Sequence, residues 1–191
     1  RIGDECPLNV YGYSKALFDR YVARRLPHVR SQIAGLRYFN VYGPREQHKG
    51  RMASIAWHMR RQLLEQGVVK LFEGSHGYAH GEQVRDFVHV DDVVNLNLWL
   101  MDNPKVSGVF NCGTGNGESF NAVARAVIGY YQTGEIIYIP FPEDLVYAYQ
   151  SYTCANLNSL RSAGFELPFR DVSSGVAAYM AWLDATQGRS G

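Results

Sequence analysis

Tyr11 and Lys15 stand four residues apart in the segment Asn9-Val10-Tyr11-Gly12-Tyr13-Ser14-Lys15. On a helix that spacing puts both side chains on one face. A phenol titrates near about 10 when unperturbed. A neighbouring ammonium favours the phenolate and lowers that value. Such a tyrosine can exchange a proton with a substrate hydroxyl near neutral pH, as general acid–base catalysis requires. Tyr-x-x-x-Lys is also an ordinary amphipathic pair, so the spacing alone does not decide.

Three other patterns carry less. His76 and His80 have a spacing that zinc ligands can have, but they lie in a Gly-rich stretch with no third ligand in view. No metal is therefore expected. Gly113-Thr114-Gly115-Asn116-Gly117 has the outline of a dinucleotide-binding turn. Glu118 stands where G-x-G-x-x-G needs glycine, so the segment reads as a late turn of the fold. Cys6, Cys112 and Cys154 are odd in number and form no C-x-x-C, which fits free thiols in a reducing cytosol.

The elements that must position these residues follow from periodicity and punctuation. Leu17, Phe18, Tyr21 and Val22 recur at helical spacing, predicting a helix over 10–26 that Pro27 closes. A strand is expected over 31–38, a loop over 40–45 around Gly43-Pro44, a helix over 52–64 and a strand over 69–72. Residues 74–83 are polar and Gly-rich and read as a surface loop. A strand over 86–90 leads to a helix reaching about 101, with Asp91 as its expected N-cap. Then come a strand over 108–112, a helix over 119–131, a strand over 135–139 and helices over 155–162 and 172–183, the last capped by Asp171. Strands alternating with helices predict an α/β fold with parallel pairing.

Composition sets the bounds. The 191 residues are 46% hydrophobic, enough for one ordinary core or one and a half small domains. A net charge of +1 argues against a dedicated nucleic-acid binder. With 19% charged and 13% aromatic residues the chain is not of disordered type. No apolar run is long enough to span a membrane, and the first residues carry no basic-then-apolar signal region.

Further motifs follow the Tyr/Lys pair in order. They are Leu36-Arg37-Tyr38-Phe39-Asn40-Val41-Tyr42-Gly43-Pro44-Arg45, then Val84-Arg85-Asp86-Phe87-Val88-His89-Val90-Asp91-Asp92, then Phe110-Asn111-Cys112-Gly113-Thr114-Gly115. This series resembles the extended short-chain dehydrogenase/reductase superfamily in its nucleotide-sugar branch. His48-Lys49-Gly50-Arg51-Met52-Ala53-Ser54, Leu71-Phe72-Glu73-Gly74-Ser75, Tyr138-Ile139-Pro140-Phe141-Pro142 and Ala178-Tyr179-Met180-Ala181-Trp182-Leu183 narrow it. These look like the ADP-L-glycero-D-manno-heptose 6-epimerase family. The resemblance covers essentially the whole chain, but only the C-terminal three-fifths or so of that family's length.

The resemblance implies the late part of a Rossmann-type parallel sheet plus a smaller α/β substrate-binding domain. The first Rossmann strands, with the Gly-rich turn, are absent from this chain. It implies residues 1–46 and about 86–113 in the NADP-binding domain, and 47–85 and 114–191 in the ADP-heptose domain. It implies a cytoplasmic, homo-oligomeric isomerase that binds NADP. Its reaction is epimerisation at C6 of ADP-D-glycero-β-D-manno-heptose, by hydride removal and return, for lipopolysaccharide core. The cofactor supplies the redox chemistry; the protein supplies position and proton transfer. Tyr11, Lys15 and Lys49 are the implied catalytic residues, with Lys49 as the second base that inversion calls for. On residue type alone Lys49 is a solvated surface lysine. Tyr11, Lys15 and Val41 are implied at the cofactor. Asn40, Lys49, Arg51, His58, Phe72, Glu73, Gly74, Ser75, Arg85 and Tyr149 are implied at the substrate, Arg85 on its diphosphate.

Two departures stand out. Arg51 replaces an expected small serine, and the loop over 76–84 is longer than in the shortest family members. A chain with no Gly-rich turn is expected, taken alone, neither to bind NADP well nor to catalyse. Two alternatives remain open from the sequence: another nucleotide-sugar 4-epimerase or 4,6-dehydratase, and a non-catalytic binding module that keeps the fold.

Overall fold

Asn9 opens the first helix: its side-chain oxygen accepts the Gly12 N–H at 2.8 Å. The computed structural model describes residues 7, 9–142 and 149–187. Helix α1 (Val10–Arg25) runs into a short 3-10 turn (Leu26–His28) that contains Pro27. Strands β1 (Ala34–Tyr38) and β2 (Asn40–Tyr42) follow. A 3-10 segment (Gln47–Met52) leads to α2 (Ile55–Gln66), which Ser54 caps and Gly67 ends in the left-handed region. Next come β3 (Val68–Phe72), β4 (Val84–Arg85), β5 (Phe87–His89) and α3 (Val90–Asp102). Then β6 (Gly108–Cys112), β7 (Glu118–Ser119), α4 (Phe120–Tyr131) and β8 (Glu135–Ile139). Helices α5 (Asn158–Ser162) and α6 (Val172–Gln187) complete the described chain.

Among the described residues the strands form four pairs. β1 with β6, β2 with β5 and β3 with β8 are parallel; β4 with β7 is antiparallel. Each parallel pair is bridged by a connection containing helix, as parallel pairing requires.

The period-2 alternation of β2 and β5 divides the interior. Tyr42 and Phe87 join a core built on α2, β3, α4 and α6, where Met59, Val127, Met180 and Leu183 are fully buried. Val41 and Val88 face the other way, into a core with Leu96, Phe110, Leu160 and Phe165. Each such side chain contributes about 1.5–3 kcal/mol when buried. Arg60 ties the first core's helices together. It donates to Tyr131 Oη (2.6 Å) and Asp184 Oδ1 (2.7 Å), and Tyr131 donates to Asp184 Oδ1 (2.8 Å).

Several sequence expectations need correction. The expected loop over 40–45 begins as β2, because Asn40–Tyr42 pairs with Phe87–His89. The strand expected over 31–38 starts only at Ala34. The helix expected from 52 starts at Ile55, because Ser54 caps there and Met52 ends a 3-10 segment. The strand expected over 86–90 is β5, shortened to Phe87–His89, and a further short strand, β4, stands before Asp86 where none was expected. Asp91 is not the N-cap of α3. His89 is, its Nδ1 accepting the Asp91 N–H at 3.2 Å. The helix expected from 155 begins at Asn158, because the Ala155 N–H is held by the Asp86 carboxylate (2.9 Å). Asp171 does cap α6, accepting the Ser174 N–H at 2.7 Å.

Candidate active site

Lys15 Nζ lies 5.2 Å from the centre of the Tyr11 ring. The helical spacing thus brings both to one face of α1, where Tyr11 is 72% exposed. Leu17, Phe18 and Tyr21 are exposed on the same helix. Only Ala16 and Val22 of α1 are buried.

A second cluster forms around a pocket of about 290 Å³. His58 and Gln62 of α2, Lys70 and Phe72 of β3, Phe120 of α4 and Tyr149 line it, with Gly81 and Gln83 from the loop before β4. The Phe141 ring stands 5.3 Å from Phe72 and 5.0 Å from Tyr149, closing one wall. Gln83 is 2% exposed and donates to the Glu73 carbonyl (3.1 Å) and to Ser75 Oγ (3.3 Å). It thereby fastens the Phe72–Ser75 turn to the pocket wall. The loop over 74–83 is held as well. Gly74 N–H donates to His80 Nδ1 (2.9 Å), and Asn121 Nδ2 donates to the His80 carbonyl (2.8 Å) and to Glu82 Oε1 (2.6 Å).

Arg85 sits beside this pocket. Its guanidinium carbon lies 4.9 Å from the centre of the Tyr149 ring and 5.7 Å from that of Phe120. The residue is 9% exposed. One of its five donors is engaged, with the Val84 carbonyl at 2.8 Å. No carboxylate pairs with it among the described residues. Burial lowers its pKa, with the Tyr149 hydroxyl opposing; an arginine nevertheless stays charged at neutral pH. Tyr149 is shifted up by burial, against the pull of Arg85. A buried cation without a counter-charge is costly unless an anion joins it.

Asp86, the next residue, is wholly buried. Its Oδ1 accepts from Thr114 N (2.7 Å) and Oγ1 (2.8 Å); its Oδ2 accepts from Gly115 N (2.9 Å) and Ala155 N (2.9 Å). Two N–H groups of the Gly113–Gly117 turn, those of Thr114 and Gly115, are therefore given to a carboxylate. A Cβ at Gly113 would sit 2.7 Å from Asp86 Oδ2, so only glycine fits there.

Residues 3–113 match the NAD dependent epimerase/dehydratase family. The chain belongs to this family. It is 61% identical over 176 residues to an ADP-L-glycero-D-manno-heptose-6-epimerase of Alkalilimnicola ehrlichii, covering 92% of this chain and 55% of that protein. Among solved structures it is similar to the ADP-L-glycero-D-manno-heptose-6-epimerase of Helicobacter pylori, with TM-score 0.78 and 32% identity over 96% of this chain and 53% of that one. It is also similar to the UDP-glucose 4-epimerase of Thermotoga maritima, with TM-score 0.75 and 27% identity over 95% and 55% of the two chains. The chain thus spans about half the length of the relatives it matches. The α/β fold with parallel strands is that of these Rossmann-type epimerases.

Within this family fold, the structure gathers His58, Phe72 and Tyr149 in one pocket, with Arg85 against Tyr149 and Glu73, Gly74 and Ser75 in the adjoining turn. Among the described residues no hydrogen bond, ion pair or ring contact joins Tyr11, Lys15, Asn40, Val41, Lys49 or Arg51 to that pocket. Lys49 and Arg51 are exposed in the 3-10 segment before α2. Asn40 is exposed and donates its N–H to the Asp86 carbonyl (2.9 Å). Val41 packs into the second core. Asp86, Gln83 and Phe120 escaped the sequence reading. The readable signal for Asp86 was an acid wedged between strand residues. Among the described residues no group of three or more His, Cys, Asp or Glu could hold a metal, and no helix is long and apolar enough to cross a membrane.

Proposed function

We propose that the protein to which this chain belongs epimerises ADP-D-glycero-β-D-manno-heptose at C6 with NADP. The carrying observation is Arg85: a buried guanidinium with unengaged donors and no paired carboxylate among the described residues, framed by Tyr149 and Phe120 beside a pocket that His58, Gln62, Lys70 and Gln83 also line. A guanidinium fork matches two oxygens of a diphosphate. The pocket beside it, with Phe72 and Tyr149, takes the nucleotide, and His58 reaches the substrate from α2. Asn40, Lys49 and the Phe72–Ser75 turn are further substrate contacts on this reading, and Arg51 is a contact of altered type.

The exposed Tyr11–Lys15 face of α1 fits the nicotinamide-ribose end of the cofactor, with Val41 beside it. NADP, when bound, supplies the hydride chemistry. Tyr11 moves a proton at the substrate hydroxyl, Lys15 sits over the Tyr11 ring beside the cofactor, and Lys49 serves the opposite face of the carbon. Residues 1–46 and about 86–113 belong with the cofactor domain, and 47–85 and 114–191 with the substrate domain. On the same family likeness the protein is a cytoplasmic homo-oligomer supplying heptose for lipopolysaccharide core.

The test is an epimerisation assay on the full-length protein, with the two C6 epimers resolved by NMR. Wild type should convert the substrate, and Tyr11→Phe should be slower by ~100-fold or more, as for loss of a general acid–base group. Turnover of UDP-glucose and none of the ADP-heptose would replace this reading with a 4-epimerase.

A further inference from the structure

Gln83 is 2% exposed, yet only half of its carboxamide is satisfied. Its Nε2 donates to the Glu73 carbonyl (3.1 Å) and to Ser75 Oγ (3.3 Å). A carbonyl can only accept, so the first of these bonds fixes which end of the amide is nitrogen. Both N–H groups are thereby spent on the Phe72–Ser75 turn. Oε1 accepts no hydrogen bond from any described residue.

That oxygen is not sealed in protein. Tyr42 Oη and His89 Nε2 are unbonded atoms with almost no accessible surface; Gln83 Oε1 is not of that kind. Gln83 lines the pocket of about 290 Å³, and its oxygen is the one polar atom of the side chain left to face it. An acceptor on so buried a side chain is costly unless a donor reaches it.

The surroundings suit a flat heteroaromatic ring. Phe72, Phe120 and Tyr149 line the same pocket, and the Phe141 ring stands 5.0 Å from Tyr149. Aromatic side chains of this kind stack on a base. Gln62 of α2 is fixed in the opposite sense. Its Oε1 accepts the Lys70 N–H at 2.8 Å, which leaves Nε2 as a donor with no partner among the described residues. The pocket therefore holds one placed acceptor and one placed donor. Adenine carries the complement of each, an amino group that donates and ring nitrogens that accept. Gln83 stands two residues before Arg85, at most about 7 Å along an extended chain. A diphosphate at that guanidinium and a base at Gln83 thus belong to one bound nucleotide.

We propose that Gln83 selects the nucleobase, its Oε1 accepting an N–H of the 6-amino group of adenine. The proposal rests on the reading of this pocket as the nucleotide site. It adds the group that tells adenine from a purine without the amine.

The test is calorimetric titration of the full-length protein with ADP and with purine riboside 5′-diphosphate, which is ADP with hydrogen in place of the amino group. Wild type should bind ADP about three- to tenfold more tightly, as for one hydrogen bond between neutral groups. Gln83→Met removes the acceptor and also frees the Phe72–Ser75 turn, so its affinity for both probes should fall, but the preference for ADP should disappear. Gln83→Glu keeps an oxygen at that place and should keep the preference. A role in fastening the turn alone would weaken both probes together and leave their ratio as it is in wild type. Equal affinity for the two probes in wild type, which needs no variant to measure, or an unchanged ratio in Gln83→Met would overturn the proposal and leave the pocket a nucleotide site. So would a Gln83→Met variant that loses instead the preference for ADP over 2′-deoxy- or 3′-deoxy-ADP, which would assign the oxygen to the ribose. Binding of neither probe by wild type would remove the nucleotide reading itself, and this proposal with it.

Discussion

The Arg85 guanidinium stacks 4.9 Å from the Tyr149 ring, joining strand β4 to a segment far along the chain. Backbone bonds on both sides fix this contact. Val84 N donates to the Ser151 carbonyl (2.9 Å), and Thr153 N donates to the Val84 carbonyl (3.1 Å). Asp86 then holds Ala155. The tyrosine-bearing segment is thus laid along the strand that carries the arginine. A cation on a π face keeps its edge donors free to meet an anion.

Arg85→Ala is expected to weaken ADP binding to the full-length protein by tenfold or more, since a hydrogen bond to a charged group is worth about 1.5–3 kcal/mol. Arg85→Lys should recover only part of the loss, because an ammonium keeps the charge without the planar fork. Calorimetric titration with ADP measures both. Equal affinity in wild type and Arg85→Ala would remove the arginine from the nucleotide site.

Asp86→Asn replaces an acceptor of four hydrogen bonds by a group with one acceptor oxygen and a donating nitrogen. The nitrogen would face the N–H groups that Oδ1 or Oδ2 now receives. A loss of about 3 kcal/mol is expected, given about 1–3 kcal/mol for each buried group left unsatisfied. Urea denaturation of wild type and variant reads it. A loss under about 0.5 kcal/mol, the size of a neutral surface change, would show that the carboxylate is not the anchor it looks to be.

Much of the fold was legible because hydrophobic periodicity reports burial directly. β6 and β8 occupy the residues their sequence runs indicated, and α4 differs only in that Ser119 is its cap. Legibility failed where long-range pairing overrode local signals. Asn40–Tyr42 looks like the start of a Gly-Pro loop, yet becomes a strand because β5 lies beside it. His89 rather than Asp91 caps α3, since burial and β5 pairing fix where the strand ends. Among the candidate site residues, the types and order of Tyr11, Lys15, Arg85 and Tyr149 were readable from the sequence. The role of Gln83 was not, because it acts through bonds to Glu73 and Ser75 that only the folded loop creates.

The Arg60–Tyr131–Asp184 triangle links α2, α4 and α6. Tyr131→Phe should cost about 1 kcal/mol and Asp184→Ala about 2 kcal/mol, as each removes hydrogen bonds to a charged or buried partner. In the double variant the losses should sum to more than the measured total, because the two groups share Arg60. Thermal or urea unfolding supplies the three numbers. Strict additivity would mean the triangle does not act as a unit.

His89 sets a pH dependence whose sign follows from its burial. The ring's pKa is lowered in the fold, with Asp91 and Asp92 pulling it up and Arg170 pushing it down. Above the unfolded value of about 6.5 the ring is neutral in both states, and its part of the stability is fully present. As pH falls below that value, the unfolded chain takes up the proton first. Unfolding free energy then declines by up to about 1.4 kcal/mol per pH unit, until the folded ring is protonated too. In His89→Phe, which keeps a ring against Tyr42 (5.4 Å between centroids in the native pair), this share of the decline is removed. The variant should be less stable at pH 7.5, for it leaves the Asp91 N–H without its acceptor. Its stability should nevertheless fall less between pH 7 and pH 5. Urea midpoints across that range, measured on both proteins, decide the matter: parallel curves would mean that His89 takes up its proton in the fold as readily as in the unfolded chain.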